Sequence, residues 1–295
     1  MKLVRMPIVW LALAAALGLA VLAPMVAPSA PVAAAPTRRA SVTVFAASSL
    51  TDAFKELGAA FETDTGIPVT FNFGASSQLR TQLEQGAAAD VFVSADQIQM
   101  DNARKAGVIA GPDQTFARNR LVVIVPKSNP AGIAGPADLA RPGVMLVTAA
   151  PEVPIGAYTR SVLDKMSALD AFGPDFKDRA NANIVSREPN VRQVVAKVQL
   201  GEADAAVVYL TDVTPQAAPS LLTIPIPDDL NTLASYPIAL VADGPQAELG
   251  QAFVDLVLSP SGQALLARWN FTPASPIALV PVPTTDRLAF IQAPR

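Results

Sequence analysis

The sequence predicts an α/β protein with mainly parallel sheets, and three observations carry that prediction. Short, near-continuous runs of Val, Ile, Leu and Ala recur after residue 40. Segments with helical spacing of apolar residues lie between them. The two kinds of segment alternate along the chain. Unbroken apolar runs fit strands covered on both faces, and their alternation with helices is the pattern of a layered α/β fold.

Taken in order, the expected strands are Val42–Ala47, Val69–Phe73, Val91–Ser94, Leu121–Val125, Val144–Thr148, Asn183–Val185, Ala205–Tyr209 and Ile238–Val241. Leu50, Phe54, Leu57 and Phe61 share one face of a helix after the first strand. Tyr158, Val162, Leu163 and Met166 do the same further on, as do Val191, Val194, Val195 and Val198. Two strands flanked by Pro, Asn or Gly read as crossings between two lobes: "NRLVVIVPKSNP" near 119–130 and "SYPIALVADG" near 235–244. No internal repeat is visible. The Pro-rich end of the chain, from "TPASPIALV" onward, fits no helix and reads as an extended tail.

The N-terminus reads as an export signal. Lys2 and Arg5 give a short basic start, and from Pro7 to Met25 every residue is apolar, Gly or Pro. The Ala- and Pro-rich stretch that follows supplies small residues for cleavage between about 29 and 40. An uncleaved anchor is the competing reading, since the apolar run is long. No Cys follows the run, so no lipid anchor on Cys is expected.

Composition excludes several classes of chemistry. The chain has 295 residues, 51% of them hydrophobic, with no Cys and no His. Disulfides, thiolate or zinc sites and His-dependent triads are therefore ruled out. The formal net charge is −3 and no basic run covers a surface, which argues against a nucleic-acid partner.

The informative residues sit where strands give way to helices. "FAASSL" precedes a helix from Leu50, "FGASSQL" one near 78–85, "PEVPIGAY" one from about Gly156, and "SREPNVRQVV" one from about Asn190. Ligands of open α/β sheets bind beyond the carboxyl ends of the strands. Each helix start offers unpaired N–H groups and the positive end of a dipole. Several such starts converging would hold an anion without any cation. The ordinary alternative for each serine is an N-cap; the repeated Ala-Ser-Ser junction favours a paired site instead. Val191 alone reads as core, Tyr209 alone as core or rim, and Asp52 as a dipole partner in a first turn.

These same stretches carry a resemblance. "VTVFAASSLTDAFKELGAAFE", "FNFGASSQLRTQLEQGAAADVFVSAD", "LVVIVPK", "PEVPIGAY" and "NVRQVVAKVQLGEADAAVVYLTD" resemble the periplasmic molybdate-binding proteins of ABC importers, over most of 42–272. The resemblance implies a two-lobed periplasmic-binding-protein fold of type II, with two crossing strands as hinge. Lobe 1 is then 41–120 plus 238–272, lobe 2 is 121–237, 1–40 is signal peptide and linker, and 273–295 is the tail. It implies a tetrahedral oxyanion held by the hydroxyls of Ser49, Ser76 and Tyr209 and the backbone N–H groups of Ile155 and Val191. Ser48 and Ser77 are possible neighbours. The "PEVPIG" loop departs from the family form, being one residue shorter before Val-Pro with Ile where a smaller residue is common, which puts the Ile155 register in question. The implied ligand is molybdate or tungstate, the implied partner an importer permease, and the implied state a monomer without a cofactor.

A donor-only site disfavours hydrogen phosphate, whose proton needs an acceptor. Glu188 is the one nearby carboxylate, and it is expected to point away. Arg80 and Arg192 are expected to raise the local potential without touching the anion. Sulfate, another tetrahedral oxyanion, is the alternative ligand. Iron cargo lacks clustered Tyr, His or carboxylate ligands. A serine hydrolase on Ser49 or Ser77 lacks a general base. A sensor domain of a regulator fits neither the signal nor the absence of a DNA-binding segment.

Overall fold

The computed structural model describes residues 40–274. The N-terminal run read as an export signal, and the tail after residue 274, lie outside the described residues. No helix among the described residues is long and apolar enough to cross a membrane.

The first part of the chain alternates strands and helices: β1 (Val42–Ala47), α1 (Thr51–Thr65), β2 (Val69–Gly74), α2 (Ser76–Glu84), β3 (Val91–Val93), α3 (Gln97–Lys105) and β4 (Ile109–Asn119). The middle part holds β5 (Leu121–Pro126), β6 (Leu146–Ala149), α4 (Pro154–Ser167), α5 (Phe176–Ala182), β7 (Ile184–Glu188), α6 (Val191–Gln199), β8 (Ala206–Tyr209) and β9 (Leu221–Pro225). The chain then returns through β10 (Ala234–Val241), α7 (Ala247–Leu258), α8 (Pro260–Arg268) and β11 (Thr272–Pro273). The outcome is the α/β class that the alternation predicts and the two lobes that the crossing strands predict; β1–β2, β1–β3 and β6–β7 pair parallel, and the other pairings described are antiparallel.

One six-stranded sheet runs in the order β11-β4-β10-β3-β1-β2. β1 pairs parallel with β2 and β3, while β10 pairs antiparallel with β3 and β4. The middle part forms the β8-β5-β9 sheet and the parallel β6-β7 pair, with a bridge from Leu146 to Ala205 joining them. Only Arg120 separates β4 of the first sheet from β5 of the second.

The expected first strand matches β1 at both ends, and the other expected strands agree within a few residues. The sequence reading misses β4, β9 and β11. Gly111 and Pro112 interrupt β4, and its face toward solvent is polar, so no apolar run marks it. Strand β9 is an edge strand broken by Pro225 and followed by Pro227, and such an edge reads as loop. β10 starts before the expected Ile238, because Pro237 sits at a register shift that the missing N–H can occupy.

Phe54, Phe116 and Tyr236 form an aromatic chain with centroid spacings of 5.8 and 6.3 Å. It continues from Tyr236 to Tyr209 at 5.8 Å. This buried file of rings runs from the core of the large sheet, across β10, to the end of β8. It fixes the position of both tyrosine hydroxyls.

Candidate functional site

Strand register decides where the functional residues meet. Ala47 at the end of β1 lies opposite Gly74 at the end of β2. Ala149 at the end of β6 lies opposite Glu188 at the end of β7. Each strand delivers the chain into a helix start at the same level. The four starts converge on a cavity. Ser48, Ser49, Ser76, Ile155, Val191 and Tyr209 all line it; the rest of the wall is Ala, Gly, Val and Pro, and no charged side chain is among the lining residues. Ser77 is not part of this wall: it faces a neighbouring groove with Arg80, Glu152 and Arg187, and its hydroxyl has no partner among the described residues.

The serines are not caps. The N-cap of α2 is Ala75, with no side-chain hydrogen bond, and Ser76 and Ser77 are the first helical residues. Ser48 and Ser49 form a 3₁₀ turn that runs into α1, again without a side-chain cap. Side-chain caps occur at other helix starts: Asp96 accepts from the Gln99 N–H at α3 and Ser259 from the Gly262 N–H at α8. The first-turn N–H groups of α2 therefore have neither a helical nor a side-chain partner.

Helix α4 begins inside the "PEVPIG" loop. Pro154 holds the first helical position and lacks an N–H, so Ile155 supplies the first available donor. Gly156 is required there, since a Cβ would lie 2.2 Å from the Ala150 carbonyl oxygen and 2.8 Å from that of Ala149. At the start of α6, Asn190 accepts from the Gln193 N–H at 3.1 Å, and Val191 is the first residue beyond that cap.

Each hydroxyl of the site has a defined setting. Ser76 Oγ accepts the Ala95 N–H at 3.0 Å. Ser49 Oγ lies 3.0 Å from the Tyr236 hydroxyl. Tyr209 OH is buried and has no partner among the described residues. Burial, followed by the nearby Tyr236 and Tyr158, raises its pKa well above the usual value of 10, so it stays protonated and able to donate. Tyr236 was not anticipated from sequence; its only signal was a tyrosine inside a crossing strand. Ala95 was equally silent.

Two sets of contacts join the segments on either side of the cavity. Arg192 on α6 donates to the Ser48 carbonyl at 3.1 Å and to Asp52 at 2.7 Å. Gln99 on α3 donates to the Glu152 carbonyl at 3.1 Å and accepts from Arg80 at 2.9 Å. Asp52 thus does more than complement a helix dipole: it anchors Arg192. Arg80 is tied to Glu84 and Gln99 rather than facing the cavity. Glu188 is buried, accepts from Ser186 and does not line the cavity, which removes the one carboxylate that threatened the site.

Asp212, fully buried just beyond Tyr209, has its pKa pushed up to about 7. Desolvation is the main cause; Arg192, 3.7 Å away, and the Tyr209 N–H oppose it, and Asp52 adds to it. The unfolded chain releases this proton near pH 4 and the folded chain near 7. Between those values the folded state binds more protons, so stability falls as pH rises. Asp212→Asn keeps an acceptor for the Tyr209 N–H and cannot ionise. Its urea-unfolding free energy is expected to lack that fall, roughly 2–4 kcal/mol between pH 4.5 and 8. Parallel pH profiles for variant and wild type contradict the assignment.

Helix starts and hydroxyls from two lobes, closed around an uncharged cavity, define a solute-binding protein of the two-lobed kind. The chain belongs to the bacterial extracellular solute-binding protein family, which it matches over residues 42–272. It is 39% identical over 240 residues to the molybdate-binding protein ModA of Mycobacterium tuberculosis, covering 81% of this chain and 87% of that one. It is similar in fold to the periplasmic molybdate-binding protein of Azotobacter vinelandii, with TM-score 0.68 and 20% identity over 80% of this chain and all of that one. The sulfate-binding protein SubI of Mycobacterium tuberculosis gives TM-score 0.72 at 20% identity, over 80% of this chain and 88% of that one. Fold alone therefore does not choose between these anions.

Proposed function

We propose that this protein captures molybdate outside the cytoplasmic membrane and hands it to the permease of an ABC importer, with tungstate as a second cargo. The observation that carries the proposal is the cavity itself: Ser49, Ser76 and Tyr209 bring hydroxyls and Ile155 and Val191 bring backbone N–H groups from both lobes, with no carboxylate in the lining. Oriented neutral dipoles replace the water that a dianion sheds on entering. No chemistry is performed on the anion. The 39% identity to a molybdate-binding protein favours this cargo over sulfate, which is smaller and leaves the donors stretched.

Lobe 1, residues 41–120 plus 238–272, and lobe 2, residues 121–237, close by bending at the β4–β5 junction and β10. Export follows from the N-terminal signal, the mature protein is a monomer, and no lipid is attached through Cys, since the chain has none. Calorimetric titration of the purified protein tests the reading. Tight binding of molybdate and tungstate, with weaker sulfate and phosphate, supports it. No response to molybdate overturns it, and tighter sulfate than molybdate transfers the function to the sulfate class.

A further inference from the structure

Behind Ser49 lies a line of buried polar groups that never reaches the cavity. Asn119, at the end of β4, donates through Nδ2 to the Tyr236 hydroxyl at 3.3 Å and to Thr211 Oγ1 at 2.7 Å. Tyr236 in turn meets Ser49 Oγ at 3.0 Å. Asn119, Tyr236 and Thr211 are all buried. They belong to three places: both strands that cross between the lobes, and the turn after Tyr209. None of them lines the cavity.

The direction of these bonds matters. A tyrosine hydroxyl has one proton. Either hydroxyl of the Ser49–Tyr236 pair can be the donor; the Asn119 N–H on the Tyr236 oxygen favours the arrangement in which the Tyr236 proton goes to Ser49 Oγ. The Ser49 proton is then left for the cavity, and one of its lone pairs is occupied from behind. Ser76 is set the same way, with the Ala95 N–H on its oxygen. We propose that Tyr236, oriented by Asn119, is a specificity-determining positioning residue. It fixes Ser49 as a donor and so closes the site to oxyanions that still carry a proton. The inference rests on the oxyanion reading of the cavity. Hydrogen phosphate is the informative competitor, because its proton needs an acceptor that a fixed donor denies it.

The test is the ratio of phosphate to molybdate dissociation constants at pH 7, by calorimetry for molybdate and by competitive displacement for phosphate. Tyr236→Phe keeps the ring and its contacts with Phe116, Tyr209 and Phe271 and frees the Ser49 hydroxyl to rotate. Its selectivity is expected to fall about tenfold, the worth of one oriented hydrogen bond to a charged group. Asn119→Asp reverses the polarity of the line, because the new carboxylate accepts the Tyr236 proton. It is expected to lower selectivity further, and it decides the matter if Tyr236→Phe does not fold. A purely structural role lowers the unfolding midpoint and leaves the ratio unchanged. An unchanged ratio in folded variants, or tighter molybdate binding by Tyr236→Phe, overturns the inference. Molybdate binding by the wild type is the control: its absence defeats the oxyanion reading, whereas its presence with an unchanged ratio defeats only this inference.

Discussion

Replacing Ser49 and Ser76 together by alanine is expected to lower molybdate affinity by about two to four orders of magnitude. Each hydroxyl lost from a charged ligand costs about 1.5–3 kcal/mol, and 1.4 kcal/mol is tenfold. The two serines stand on separate helix starts and have separate partners, Tyr236 and Ala95, so their losses should add. Calorimetry of the single and double variants reads this directly. Because neither hydroxyl caps a helix, helix content should stay at the wild-type level. Orphaning the Tyr236 hydroxyl and the Ala95 N–H does cost stability, about 1–3 kcal/mol each, so the titration belongs well below the unfolding midpoint. A double variant that binds like wild type removes both serines from the site.

The largest effect on the fold is expected at Asp90. Its carboxylate accepts the Thr43 N–H at 2.7 Å and the Gln246 N–H at 2.7 Å. Its own backbone bonds Thr43 and Val241. One buried residue therefore fastens the start of β1, the end of β10 and the start of α7. Gly250 packs against it so closely that an added Cβ would lie 3.2 Å from that of Asp90. Asp90→Ala leaves two N–H groups without their acceptor, a cost of about 3–6 kcal/mol at 1.5–3 for each bond to a charged group. Asp90→Asn retains one acceptor and should recover part of that. Urea unfolding measures both, and a loss below about 1 kcal/mol in Asp90→Ala contradicts the role. The molybdate affinity of the folded fraction should be unchanged, since Asp90 does not line the cavity.

The strands buried on both faces were legible because burial writes a near-continuous apolar run, as in Val42–Ala47, where only Thr43 interrupts it. Strand β4 was not, because its exposed positions admit Gln114 and a Gly-Pro pair, with the half-buried Asp113 between them. The site was legible where hydroxyls recur at helix starts. Ser49 and Ser76 announced themselves by repetition, and a resemblance separated Ser49 from Ser48 and Ser76 from Ser77. Both Ser48 and Ser49 turn out to line the cavity, whereas Ser77 turns away. What stayed hidden were groups joined only by folding: Tyr236 is 187 residues from Ser49 in the chain, and Asn119 is 117 from Tyr236. No local pattern relates such positions. Asp52 and Arg192, 140 residues apart, were each noticed, yet nothing in the chain pairs them.

That last pair bears on time rather than affinity. Arg192 with Ser48 and Asp52, and Gln99 with Glu152, join the segments on either side of the cavity, so loosening them is expected to speed the escape of a bound anion. None of these contacts involves the cargo. The residence of the anion is thus expected to draw on this clasp as well as on the donors that touch it, and changes in the clasp act on escape far more than on capture. Selection among anions rests on the residues that line the cavity, whereas the duration of their confinement draws on residues that never meet them.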